Sequence, residues 1–107
     1  MTLNIDEVLS DMLLAVKSEV KDDWVIIKGS ANDFLQSRKL RLDLLASFRI
    51  NNQISEEFFM ARLDDEKHIL ESELHAIAII SKVTAQKAAN AAMSVLQKTV
   101  MSLIALI

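Results

Sequence analysis

Asp64, His68, Glu71 and His75 are the residues whose types and spacing come nearest to a reactive site. They stand four, three and four positions apart, which puts all of them on one face of an α-helix, and Asp65 stands three before His68. Carboxylate and imidazole side chains at such intervals are how ferritin-like and designed bundles hold iron or manganese, so a small metal-binding bundle is one expectation for this chain. Glu19, Asp22, Asp23 and Asp33 are the acids that an earlier helix would add. Helical phase opposes this reading. His68 lies about 180° from the apolar Phe59, so the stripe turns away from the seam in which bundle metals sit. A solvated polar face with ordinary i, i+4 contacts is expected instead, unless a second subunit packs on it.

Other chemistry has less to work with. Cysteine is absent, which excludes thiol catalysis, thiolate metal sites and disulfides, and suits a reducing compartment. The N-terminus, MTLNIDEVLSDM, carries acids where a signal peptide has a basic region, so a cytoplasmic address is expected. A single glycine, Gly29, leaves no glycine-rich phosphate loop, and no serine stands in a recognisable nucleophile motif. The cluster Arg38-Lys39-Leu40-Arg41 is basic, but a net charge of −3 argues against nucleic acid. No catalytic residue and no cofactor is assigned, and a non-enzymatic structural or protein–protein interaction module is the leading expectation.

The elements that must position these residues are helices. Proline is absent and glycine nearly so, and sheets and long loops normally need both. Asn4 with Glu7 three positions later makes a capping box, with Leu3 and Val8 as its hydrophobic staple. Ser55, followed by Glu56 and Glu57 and stapled by Ile54 and Phe59, starts a second helix. Between them Asn51-Asn52-Gln53 reads as a turn. Apolar residues from Leu9 through Val20, Ile27 and Phe34 to Phe48 keep one helical phase, and those from Phe59 to Leu106 keep another.

The expected fold is therefore all-α: a long antiparallel two-helix hairpin, a single domain, with helices over about 5–49 and 55–106 and a turn at about 50–54. Gly29 is the one place where the first helix would kink or break. A turn centred on Asn52 sets residue i level with residue 104 − i, which pairs Leu45 with Phe59, Ile27 with Ile77 and Val16 with Ala88. Arg38 interrupts the first apolar line and Glu66 the second, at matching levels, so the two are expected to neutralise each other in the core.

Two helices cover only one side of each other. A further apolar strip, Val8, Ile26 and Leu44 on the first helix with Phe58, Ile69, Ile80 and Val83 on the second, is then left as an interface. Pairing hairpins into a four-helix bundle would cover it, so a homo-oligomer is expected, with another helical protein as the alternative partner. The C-terminal stretch, with Lys98 its only charge after Lys87 and the ending MSLIALI, adds membrane association as a third possibility. Polar residues at helical intervals within it, from Asn90 to Ser102, oppose a membrane span.

Overall fold

A computed structural model describes residues 3–77 and 80–106 of the chain; Ile107, part of the apolar ending, lies outside them. Helix α1 covers Ile5–Val20, a short 3₁₀ turn covers Lys21–Asp23, and α2 covers Trp24–Ser37. Helix α3 covers Lys39–Ile50, α4 Glu56–Ala76 and α5 Lys82–Ala105. There is no strand among the described residues.

Both long helices of the expected hairpin are interrupted, and at facing levels. The first turns at Lys21, whose φ of 54° and ψ of −117° take the backbone out of the helix. The second ends at Ala76, and Ser81 restarts it by accepting a hydrogen bond from the Thr84 amide at 3.1 Å. Gly29 is not a break. It lies inside α2, on its exposed side, with nothing within 4 Å of where a Cβ would stand. The interruption in that region is at Arg38, a one-residue turn that bends α2 into α3.

The hairpin is thus folded double. Lys39 at the start of α3 reaches Asp6 at the start of α1, at 2.6 Å, so α1 runs antiparallel to the α2–α3 rod. The turn at Asn51–Ile54, with Asn52 at φ 58°, reverses the chain into α4. Helix α5 runs back along α4, so that Leu63 and Lys67 of α4 stand beside Met93 and Asn90 of α5. Three reversals make four rods with α1 antiparallel to α5, in a body 42 × 23 × 21 Å. In this arrangement α1 lies beside α5, and α2–α3 lies beside α4.

The core explains why this arrangement closes. Leu9, Met12 and Val16 of α1 are fully buried, as are Ala85, Ala88, Ala89 and Ala92 of α5. Small side chains on one helix let a neighbour approach toward about 8 Å, and α1 and α5 share the most extensive contact in the bundle. Ile27, Leu35, Leu42, Leu70, Leu74 and Leu96 complete one continuous apolar core. Folding back gives each rod neighbours on two sides, which a hairpin cannot, so part of the strip expected at an interface is covered within the chain.

Candidate functional site

The acid–histidine stripe lies on the outer face of α4. Asp64, His68 and His75 are exposed and Glu71 is half-buried. Asp64 accepts from Lys67 Nζ at 2.9 Å, and His68 Nδ1 lies 2.7 Å from the Asp64 carbonyl oxygen and 3.5 Å from its carboxylate. The hydrogen bond from Lys67 holds the Asp64 carboxyl below its ordinary value; desolvation opposes it, and the charges of Lys67 and His68 add to the lowering. These are contacts within one helix. Among the described residues no three acids or histidines come close enough to share a metal ion. Glu19 lies across the bundle, beside Lys87 and Asn90 of α5.

Arg38 and Glu66 are brought together. Arg38 donates through Nε at 3.0 Å and Nη2 at 2.7 Å to the two oxygens of Glu66, a bidentate pair with the carboxylate buried. Arg41 adds a third contact, Nε to Oε1 at 3.2 Å. One enclosed carboxylate thus serves two guanidiniums, and no buried polar side-chain atom among the described residues lacks a partner.

The expected interface strip divides. Val8 and Ile80 are 4% and 3% exposed and belong to the core, because the folded-back rods cover the flank that a hairpin would leave open. Ile26 and Val83 are open to solvent, on α2 and at the start of α5. Leu44, Phe58 and Ile69 share a groove of about 760 Å³ between α3 and α4, whose far wall is the Arg38–Glu66 pair. Phe48 joins them, 42% exposed, although its phase places it on the seam line.

Charged groups line this groove in a definite order. Along α4 come Phe58, Arg62, Asp65 and Ile69. The Arg62 guanidinium sits 5.3 Å from the centre of the Phe58 ring, within cation–π range. It also reaches Asp65 at 3.3 Å. Arg62 has no place in the sequence-based expectations, and Asp65 enters them only as an acid beside His68, not as a partner of Arg62. Their signal was present, since they follow Phe58 by four and seven positions on the same face.

A smaller cavity of about 220 Å³ lies at the turn end between α4 and α5, lined by Phe59, Met60, Val100 and Met101 with Arg49 at its edge. No helix among the described residues is long and apolar enough to cross a membrane. The chain matches no protein-family model, no curated protein and no solved structure.

Proposed function

We propose that the chain is a non-enzymatic interaction module that associates with a second copy of itself through helical packing, with the α3–α4 groove as the contact. The observation that carries this is the exposure of Leu44, Phe48, Phe58 and Ile69 (56%, 42%, 49% and 40%) together along one groove. Large apolar side chains scattered singly are ordinary on a surface; four lining one groove, rimmed by arginine, have the composition of an interface centre. Because the four rods already cover each other, association here joins two finished bundles rather than completing one core.

Mass in solution tests the reading. Light scattering across a hundredfold range of concentration is expected to show a dimer that dissociates on dilution. A monomer at every concentration would sink it.

A further inference from the structure

The order of residues along the groove specifies how two copies meet. We infer that they pair about a two-fold axis lying in the plane of the groove and crossing α4 at right angles between Arg62 and Asp65, so that α4 packs antiparallel on the partner's α4. This rests on the self-association reading and adds its geometry.

An axis at that level sets residue i of α4 against residue 127 − i of the other copy. Phe58 then meets the partner's Ile69, and Ile69 meets the partner's Phe58. Arg62 meets the partner's Asp65, and Asp65 the partner's Arg62. The pattern apolar, cation, anion, apolar is its own complement when reversed, which is what an isologous contact requires. Moving the axis to Arg62 would set guanidinium against guanidinium, and moving it to Asp65 would set carboxylate against carboxylate. Both neighbouring registers are therefore disfavoured by like charge.

Helix α3 forms the other side of the groove with Arg38, Arg41, Leu44 and Phe48, and in the pair the Arg41 guanidinium stays on its own Glu66. Glu66 and Arg38 already satisfy each other, so the pairing strands no buried charge. A small stable interface needs about 600 Å² from each partner, roughly a tenth of the 6320 Å² surface of one chain.

The absence of cysteine makes the geometry directly testable. Phe58→Cys and Ile69→Cys chains, refolded together and oxidised, are expected to form a cross-linked dimer. Neither variant alone should do so, because residues 58 of the two copies, like residues 69, would stand about 16 Å apart along the helix pair. That is far beyond the Cα separation of under about 7 Å that a disulfide bridges. Arg62→Asp and Asp65→Arg, each alone, should weaken the dimer at least tenfold by dilution light scattering, and the double variant should recover most of the loss, with helicity unchanged in all three. The geometry is overturned if the mixture fails to cross-link, if either cysteine variant alone cross-links as readily, or if the double charge variant is no better than the singles. A dimeric mass with any of those results leaves self-association standing and removes only this axis; a monomeric mass removes both.

Discussion

Glu66 shows what a single side chain must satisfy to be buried in this bundle. An enclosed carboxylate costs several kcal/mol unless charge and hydrogen bonds reach it, and Arg38 supplies both, with Arg41 as reinforcement. Arg38→Met is expected to lower stability by about 3 kcal/mol, the low end for an orphaned buried partner because Arg41 remains. Arg38→Met with Glu66→Leu should return to within about 1 kcal/mol of the parent, since an apolar replacement of both partners removes the desolvation cost. Urea melts of the two variants distinguish these outcomes. Asp64 presents the opposite case, a surface carboxylate held low chiefly by Lys67. Its contribution is present above the unfolded pKa near 3.8 and is lost as pH falls through the lower folded value. Lys67→Met should therefore raise the Asp64 midpoint in a carboxyl NMR titration, and an unchanged midpoint would refute that cause. The Arg38–Glu66 pair was legible in the sequence because each charge interrupts an apolar line at a matching level. The same register sets Arg38, Lys39 and Arg41 opposite Asp64, Asp65 and Glu66, and Arg41 takes its share of Glu66 there.

At the scale of elements, capping chemistry was readable and the interior reversals were not. Asn4 accepts from the Glu7 amide and Ser55 from the Phe58 amide, where the cap signatures stand in the chain. The reversal at Lys21 carries no glycine, proline or asparagine, and the apolar phase runs straight through it because α1 and α2 bury their stripes in the same core. Ser81 with Thr84 is a cap signature, but an apolar run from Ala76 to Ile80 precedes it and disguises the break. Lys21 and Gly29 are each the wrong residue for their backbone. A side chain at φ 54° and ψ −117° costs about 1–2 kcal/mol, so Lys21→Gly should raise stability by about 0.5–1 kcal/mol after the entropy of glycine is counted. Gly29→Ala, with open space around the added methyl, should raise it by about 1 kcal/mol. Thermal melts should move upward by about 4 °C or more for each kcal/mol gained. A fall for Lys21→Gly would mean that the turn is not strained.

As a whole molecule the chain achieves alone what the sequence pattern suggested two chains would do. Its apolar lines describe two long amphipathic rods, and nothing in a helical period states whether the second layer of a bundle comes from a partner or from the same rods folded at their middle. Facing interruptions near Lys21 and Ser81 decide that question in three dimensions. Helix α5 then holds a central place, because it packs on both α1 and α4. A chain ending at residue 80 should lose most of its fixed tertiary structure, seen as loss of the near-ultraviolet signal of Trp24. Retention of that signal would show that three rods suffice.

The alanine face of α5 has a consequence for how the molecule is made. The most extensive helix pair joins α1 to α5, so the contacts with the greatest sequence separation are also the most numerous. Loop closure over that span opposes their early formation, and topologies of this kind fold more slowly than ones built from neighbouring elements. During synthesis, Leu9, Met12 and Val16 emerge well before Ala88 and Ala92, on which they pack. Of the five helices, α1 is therefore the one with the longest exposure of apolar surface on the way to the native state.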